Sequence, residues 1–388
     1  KNPVVGYCTL AEAVAGASTT VNETLQLQAD IAIPTTVTVD KALTLDLNAK
    51  VATYTSGTDN TFAIKVTGSG NTLTVVDGAS GGGGKLSVLD GDGGTLEAGQ
   101  LDGRGIEVLN GASFVLQSGT IEAAYAGVYV RPTSSMTMNG GTISSPLGYG
   151  VIVFGNGTAG SASLAITGGT IDVAAFAVSG NGSSGYGGTN IAISGGSLTS
   201  DNTGIYHPQD GILTISGTAS ISGYNGIEMK AGNLSVTGGT ILGTGAFADP
   251  LPNDNGSANT GDAILLNGRD AYTGDITVTI SGTPTITSTN AYALRDYKPA
   301  DQALKTSAVL VSGGSFTGGI QAVTFSDAFV ALPRSSTAGL MLTGGFYNTD
   351  PADPNVYVFV PYGTVYNTTE AMYEIVGISL NAADFGYV

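Results

Sequence analysis

One short phrase of alternating apolar and polar residues recurs along the chain. It reads apolar, any, apolar, any, one or two glycines, Thr or Ser, and then another apolar residue. The clear copies are MTMNGGTI at 136–143, LAITGGTI at 164–171, IAISGGSL at 191–198, LSVTGGTI at 234–241 and VLVSGGSF at 309–316, with weaker copies at 114–121, 213–221, 278–286 and 340–346. Because alternation with a period of two is typical of a half-buried strand, each copy predicts a strand, a corner and the start of a second strand.

The last glycine before the Thr or Ser marks the corner of each copy. Glycine adopts backbone conformations that a Cβ would forbid, and here it interrupts the alternation of the strand. The marker residues are Gly119, Gly141, Gly169, Gly196, Gly217, Gly239, Gly282, Gly314 and Gly345, with spacings of 22, 28, 27, 21, 22, 43, 32 and 31 residues. The longer spacings predict insertions in the later repeats.

A second phrase, Gly or Ala followed by apolar, any, apolar, comes after many of these corners. Its copies are GVYV at 127–130, GVIV at 150–153, GIYH at 204–207, GIEM at 226–229 and AILL at 263–266. So small a repeat cannot bury its own apolar face, but stacked coils can, with each strand pairing in parallel with its equivalent one turn away. The sequence therefore predicts an all-β fold, a right-handed single-stranded parallel β-helix of about a dozen coils between roughly residues 60 and 350.

Stacking of the coils places equivalent residues in ladders inside the helix. One predicted ladder is Leu116, Met138, Ile166, Ile193, Ile215, Val236, Ile280, Val311 and Leu342, and a second is Val128, Val151, Ile205, Ile227 and Ile264. These two ladders are the predicted core.

The two ends of the chain depart from the repeat, as the ends of a solenoid must if open strand edges are to be covered. Thr9, followed by Glu12 three residues later and by Gly16, predicts an N-terminal helical cap. From about Gly345 the sequence becomes rich in Tyr and Pro, which predicts a small C-terminal β cap. The expected organisation is a cap and first coils over 1–60, β-helix coils over 61–345 and a C-terminal cap over 346–388.

Composition and charge narrow the classes of partner. Only 11% of the residues are charged, and 30 acidic against 13 basic residues give a net charge of −17. Nucleic acid is excluded as an expected partner, because its binding requires clustered Lys and Arg. No apolar run approaches the ~18 residues of a membrane span. The single cysteine, Cys8, is expected to be a buried structural thiol.

These motifs resemble those of the pectate-lyase-like β-helix proteins of bacterial surfaces, particularly the adhesin-like proteins of gut and anaerobic bacteria. The likeness is carried by TLAEAVA at 9–15 with LTLDLN at 43–48, by the GGTI repeats, and by LTGGFYNTDP at 342–351 with Tyr357, Tyr362 and Gly363. The resemblance implies the fold and an extracellular, cell-surface location. It implies no single activity, because relatives include lyases, hydrolases, phage tailspikes and passive surface proteins.

The side chains that an enzyme of this class requires are scarce. Lyases need acidic calcium ligands with an Arg or Lys base, and hydrolases need two or three Asp with a His-containing motif. His207, the only histidine, aligns with Val130, Val153 and Met229 of sister coils, which favours an inward-pointing structural histidine over a catalytic one.

Carboxylates cluster in two places. Asp90, Asp92 and Asp102, with Arg104, lie close enough in sequence to face one groove, although Asp-Gly pairs are also common turn formers. The second cluster is Asp249, Asp254 and Asp262, whose oxygens suit Ca²⁺, the one cofactor that the sequence suggests. This cluster lacks the spacing of an EF-hand, so a plain polar loop is the alternative.

The outward positions around the second phrase form the best candidate binding surface. Aromatic faces beside a few charges can stack on sugar rings, which predicts a glycan ligand. The candidates are Tyr125, Tyr129, Arg131, Tyr149, Tyr206, Tyr224, Glu228 and Lys230. The alternative is that strand-forming tyrosines only stiffen a solvent-facing sheet.

The first phrase presents a flat outer face of small uncharged residues such as Thr137, Thr167 and Thr237, which favours self-association. The leading functional hypothesis is therefore a non-enzymatic extracellular β-helix, either a cell-surface adhesin or a self-assembling surface-layer or filament subunit. The alternatives are a glycan-binding or polysaccharide-degrading β-helix, a lyase or a hydrolase, and a phage tailspike.

Overall fold

The computed structural model describes residues 6–57, 60–91, 102–181, 187–250, 256–268, 272, 274–297, 307–321, 339–351, 357–358 and 362–377. Over these residues the chain winds into coils of short strands, and strands at equivalent positions in neighbouring coils pair in parallel. The all-β parallel β-helix predicted from the repeat is confirmed. Coils are already present before residue 60, because Glu23–Gln26 pairs with Leu43–Asp46.

The first strand of each coil comes from the first half of the first phrase, and together these strands form what we call sheet 1. Its strands are β1 Glu23–Gln26, β4 Leu43–Asp46, β7 Thr72–Val76, β10 Ser113–Leu116, β13 Ser135–Met138, β16 Ser163–Ile166, β19 Thr189–Ile193, β22 Gly211–Ile215, β25 Gly232–Val236 and β28 Ile276–Ile280.

The second strand of each coil follows the glycine corner and belongs to sheet 2. Its strands are β2 Ile31–Ile33, β5 Val51–Thr55, β8 Lys85–Leu89, β11 Thr120–Ala123, β14 Thr142–Ser145, β17 Thr170–Val173, β20 Ser197–Ser200, β23 Ser220–Gly223, β26 Thr240–Gly243 and β29 Thr285–Ser288. Two longer strands, β31 Ser307–Thr317 and β33 Gly339–Tyr347, run through the corner and join sheets 1 and 2.

The third strand of each coil contains the second phrase and belongs to sheet 3. Its strands are β3 Val37–Val39, β6 Phe62–Thr67, β9 Arg104–Leu109, β12 Ala126–Val130, β15 Tyr149–Val153, β18 Phe176–Gly180, β21 Thr203–His207, β24 Asn225–Met229, β27 Ile264–Leu266, β30 Leu294–Asp296 and β32 Ile320–Gln321.

Both predicted ladders lie in the core, in the predicted register. In sheet 1, Leu116 pairs with Met138, and each further member pairs with the next as far as Leu342. All nine side chains are buried. In sheet 3 the ladder runs from Val128 through Val151, and it includes Val178, which the sequence analysis passed over. Apolar side chains from successive coils therefore form one continuous core.

The marker glycines turn the corner between sheets 1 and 2 as predicted. All nine have a positive φ, between +58° and +104°. At Gly141 (φ +77°) an added Cβ would lie 2.7 Å from the carbonyl oxygen of Gly119, the marker of the preceding coil. The glycine is thus required twice, for its left-handed backbone and for the close approach of two stacked corners.

The N-terminal end is covered by helix α1, Leu10–Gly16, as predicted. The Thr9 hydroxyl accepts a hydrogen bond from the Glu12 backbone N–H, and the Glu12 carboxylate accepts one from the Thr9 N–H. Leu10 and Val14 are buried against the first coil. Within the described residues no helix is long and apolar enough to cross a membrane.

At the other end the parallel order stops. A two-residue strand, β34 Tyr357–Val358, pairs in parallel with β33, and the hairpin of β35 Tyr362–Asn367 and β36 Met372–Gly377 is antiparallel. Strand β36 also pairs antiparallel with the end of β33, where Tyr347 faces Tyr373. This hairpin is the predicted C-terminal β cap, and its reversed direction ends the parallel stacking of coils.

The single histidine and the single cysteine lie in opposite environments. His207 is 1% exposed and pairs with Met229 in register, as predicted. Its Nδ1 donates a hydrogen bond to the carbonyl oxygen of Ala231 at 3.1 Å. The expectation for Cys8 was wrong, because this thiol is exposed. Cys8 precedes the capping helix, outside the stacked coils that bury their inward side chains.

The register supplies a first prediction. Ile193→Asp places a carboxylate between stacked coils, where the cost is several kcal/mol even after a shift in its pKa, so the variant should fail to fold. The exposed neighbour Ser194→Asp is the matched control and should unfold at nearly the wild-type temperature. Circular dichroism and soluble yield report both. Equal damage from the two substitutions would show that the register is displaced by one residue.

A second prediction concerns pH. Burial lowers the pKa of His207 to about 4, against the opposing influence of Asp210, while an unfolded histidine titrates near its ordinary value. Between pH ~6.5 and 4 the histidine is protonated in the unfolded chain and neutral in the folded one. The contribution of the neutral histidine to the free energy of unfolding is therefore complete above pH ~6.5 and is lost as the pH falls toward 4. The loss amounts to about 3 kcal/mol.

The matched comparison is His207→Met, which copies the residue of the next coil. Denaturant unfolding of both proteins between pH 7.5 and 4.5 should show the wild type losing more free energy of unfolding than the variant, since the carboxylates common to both cancel. Parallel pH curves would contradict a neutral buried histidine.

Candidate functional site

Besides its buried inward ladder, sheet 3 carries a ladder of residues on its outer side, which we call the outward ladder. The outward residues, in register from coil to coil, are Lys65, Glu107, Tyr129, Ile152, Ser179, Tyr206, Glu228, Leu265 and Arg295. The sequence analysis placed Tyr129, Tyr206 and Glu228 on this outward face, and their register agrees, but all three are buried. Tyr129 and Tyr206 are only 5% and 8% exposed, and Glu228 and Lys230 are fully buried. Neighbouring rings and the connecting segments between strands cover this side of the sheet.

Between this sheet and its connections lies a groove of about 770 Å³. Its described lining is mostly aromatic or small, with Ile152 and Asn181 in addition, and it carries no formal charge. The lining residues are Tyr125, Tyr129, Tyr149, Ile152, Phe154, Phe176, Ser179, Gly180, Asn181, Tyr206, Gly256, Ser257 and Tyr272. Four of the eight candidate binding residues, all tyrosines, therefore meet in one cavity, whose volume suits a short oligosaccharide or another ligand of that size.

The floor of the groove is built from rings that four successive coils contribute. The ring centres of Tyr125 and Tyr149 are 5.2 Å apart, those of Tyr149 and Phe176 are 5.5 Å apart, and those of Phe176 and Tyr206 are 5.0 Å apart. These distances follow the ~4.8 Å spacing of paired strands and lie within the range of favourable aromatic pairs. The result is an apolar surface that crosses four coils.

The sequence analysis missed several lining residues, among them the aromatic residues Phe176 and Tyr272. Phe176 pairs with Thr203 and occupies the position of Tyr149 in the previous coil. The signal was a further copy of the second phrase at 177–180, in which Ala177 replaces the usual Gly. Tyr272 lies in an insertion between β27 and β28, where the repeat gives no register, so no sequence signal pointed to it.

The phenols of the groove are neutral hydrogen-bonding groups. Burial raises the pKa of Tyr125 and of Tyr149 to about 12, and it also raises the pKa of Tyr129 despite the opposing charges of Arg104 and Arg131. At neutral pH these hydroxyls are protonated, so each both donates and accepts hydrogen bonds.

Cations lie behind the rings at the N-terminal end of the groove. The Cζ atom of Arg104 is 4.9 Å from the ring centre of Tyr129, and that of Arg131 is 4.7 Å from the ring centre of Phe154. Arg131 Nε donates a hydrogen bond to Glu107 at 2.8 Å, and Lys65 Nζ lies 3.6 Å from the same carboxylate. These arginines support the aromatic floor through cation–π contacts.

The carboxylates predicted near Arg104 do not line the cavity. Asp90 and Asp102 are buried, and Asp102 accepts a hydrogen bond of 3.4 Å from the backbone of Gly91, which fits a turn. Asp92 lies outside the described residues.

Glu228 and Lys230 form a buried ion pair, with Lys230 Nζ 3.2 Å from Glu228 Oε1. The carboxylate also accepts hydrogen bonds from Asn267 Nδ2 at 2.8 Å and from the Ala258 backbone at 2.9 Å. Burial raises the pKa of Glu228, and the ammonium of Lys230 opposes that rise. Glu228, paired with Lys230, therefore attaches the connection between β26 and β27 to the sheet, and we call this connection the covering segment. Both predicted ligand-binding residues lie beneath the surface.

Tyr224 has a similar role at the edge of the sheet. Its hydroxyl donates a hydrogen bond of 3.3 Å to the carbonyl oxygen of Ala246, and Gly245 packs against its ring. Tyr224 thus contacts the covering segment and is not part of the cavity lining.

Of the predicted calcium ligands, Asp249 and Asp262 converge on an arginine. Arg295 donates to the Asp249 carboxylate, and its Nη1 lies 3.6 Å from Asp262 Oδ2. Asp262 also accepts hydrogen bonds from Thr260 Oγ1 at 2.7 Å and from the Tyr292 backbone at 3.0 Å, while burial raises its pKa. Asp254 lies outside the described residues, and those described contain no group of three or more metal-ligating side chains.

No protein-family model, curated protein or solved structure matches this chain. The groove is therefore the main indication of function, through its aromatic lining, the arginines that support that lining and the segment that covers the sheet beside it.

The ion pair beneath the covering segment supplies a third prediction. Lys230→Met leaves the Glu228 carboxylate buried without its cation, which should cost about 3–5 kcal/mol of unfolding free energy. The double variant Glu228→Gln/Lys230→Met removes both charges and should recover much of that loss. Denaturant unfolding of the wild type, the two single variants and the double variant gives the coupling energy. Additive losses would contradict a coupled buried pair.

Proposed function

We propose that this protein is a non-catalytic, glycan-binding β-helix of a bacterial cell surface, an adhesin that holds a neutral sugar chain in the groove over sheet 3. The observation that carries the proposal is the aromatic floor of Tyr125, Tyr149, Phe176 and Tyr206, which crosses four coils in a cavity of about 770 Å³ whose described lining carries no formal charge.

The chemistry of this floor suits sugars. A sugar ring has apolar C–H faces that pack on aromatic rings, and its hydroxyl groups need donors and acceptors at the edges of those rings. The protonated phenols of Tyr125 and Tyr149 supply both. Because the described lining carries no formal charge in a chain of net charge −17, it favours a neutral chain over a polyanionic one.

Glu107 and Glu228, the two described carboxylates of the outward ladder, are both engaged by protein partners, which supports a binding role over a cleaving one. Glycoside hydrolysis uses two carboxyl groups on either side of the scissile bond. Glu107 is held by Lys65 and Arg131, and Glu228 is fully buried by its own partners. Neither of them lines the groove.

The cell-surface location rests on the resemblance to pectate-lyase-like and adhesin-like surface proteins and on the stiffness of a stacked rod. Self-association through the small-residue face of sheet 1 stays a prediction. A lyase, a hydrolase or a tailspike is the competing proposal, and it requires release of shorter sugars from a polymer.

A fourth prediction tests the proposal. Affinity electrophoresis and calorimetry against neutral xylan, glucomannan and β-1,3-glucan, beside anionic polygalacturonate, should give binding to at least one neutral polymer. Tyr149→Ala and Phe176→Ala should each weaken that binding by about 1–2 kcal/mol, roughly five- to thirty-fold, because each removes one ring of the floor.

The matched control is Tyr366→Ala, which removes a tyrosine that is 52% exposed in the C-terminal hairpin. It should bind as the wild type does, and thermal unfolding should show that all the variants are folded. The proposal is overturned if no neutral polymer binds, if the floor variants bind normally, or if the wild type shortens the polymer.

A further inference from the structure

The groove is closed at one end. Its floor is open to the cavity over β12, β15, β18 and β21, from Tyr129 to Tyr206. In the next three coils the outward residues Glu228, Leu265 and Arg295 are 0%, 0% and 1% exposed. The boundary is formed by Gly256, Ser257 and Tyr272, which line the cavity and belong to connections rather than to the sheet.

The described part of this end wall, residues 256–262, is anchored to the sheet by buried hydrogen bonds. The side chain of Asn225, which is fully buried, accepts hydrogen bonds from the backbone of Thr260 at 3.0 Å and of Gly261 at 2.7 Å. The Ala258 backbone donates to Glu228, and Ser288 Oγ donates to the carbonyl oxygen of Gly261 at 2.8 Å. Displacing the wall would leave these buried groups without partners, so it is a fixed boundary and not a lid.

The last ring of the floor leads directly into the wall. Tyr206 stacks on Phe176, with 22° between the ring planes, and its hydroxyl lies 3.0 Å from the hydroxyl of Tyr272. A chain that follows the floor therefore meets a barrier of two phenols. At the opposite end the side chains of Arg131 and Lys65 are 31% and 40% exposed, so the sheet there reaches solvent.

We propose that the groove binds the end of a neutral glycan chain and not an internal stretch, with the terminal sugar against Tyr206 and Tyr272. This inference rests on the proposed glycan-binding function. A chain that continued along the axis in both directions would have to pass through the anchored wall and the buried outward residues behind it. A chain that terminates at the wall keeps contact with the whole floor.

The stoichiometry of binding tests this without any substitution. The neutral polysaccharide that binds in the first screen is fractionated by length, and calorimetry or sedimentation measures how many protein molecules each chain binds. If the groove recognises an end, each chain binds one protein at every length, and the hexasaccharide already binds with the affinity of the longer chains. A number of bound proteins that grows with chain length overturns the closed-end inference while leaving glycan binding intact, whereas no binding overturns the proposed function.

A variant at the wall gives an independent readout. Tyr272→Phe keeps the ring and removes the hydroxyl that faces Tyr206, and it should weaken hexasaccharide binding by about three- to tenfold. Tyr366→Phe is the matched control and should not change the affinity. Chemical blocking of one terminus of the hexasaccharide and then the other should abolish binding in one of the two cases. Undiminished binding with both termini blocked overturns the inference.

Discussion

The whole structure depends on the in-register pairing of each strand with its equivalent one coil away. This pairing fixes neighbouring coils about 4.8 Å apart, and a slip of one residue would turn every inward side chain outward. The buried ladder from Leu116 to Leu342 is the consequence on the inside. At the corners the same spacing brings Gly141 so close to the carbonyl oxygen of Gly119 that no Cβ fits. The glycines at these corners follow from this crowding and from their positive φ, not from flexibility.

The same constraint creates the surface that we propose to be functional. Aromatic side chains of neighbouring coils are thereby brought within ring-contact distance, as with Tyr149 and Phe176, which occupy equivalent positions and whose ring centres are 5.5 Å apart. Charged residues in these ladders are brought together as well, which explains the contacts of Glu107 with Lys65 and Arg131. Stacking of the coils thus gathers aromatic rings into one floor, with the paired charges of Glu107 at one end.

The connections between the strands break this uniformity. A bare β-helix offers the same sheet from end to end, so it could bind a chain at any position along its axis. The segment that carries Ala258, Thr260 and Gly261 covers sheet 3 over its later coils and divides it into an open groove and a buried remainder. The buried polar side chains of Asn225 and Glu228 make this division stable, because they satisfy the backbone of the segment that covers them.

The sequence by itself determined the fold, both core ladders, the glycine corners and the two caps, because each of these is a local pattern repeated at a regular interval. It also identified Tyr125, Tyr129, Tyr149 and Tyr206 as one surface, since Tyr129 and Tyr206 share an outward register position and Tyr125 and Tyr149 lie just before or at the start of the same set of strands. Only the tertiary structure decided that Glu228 and Lys230 are buried, that Asp249 and Asp262 meet Arg295, and that Tyr272 closes the groove. These outcomes depend on where long insertions fold back, and an insertion has no counterpart in the next coil from which its position could be inferred.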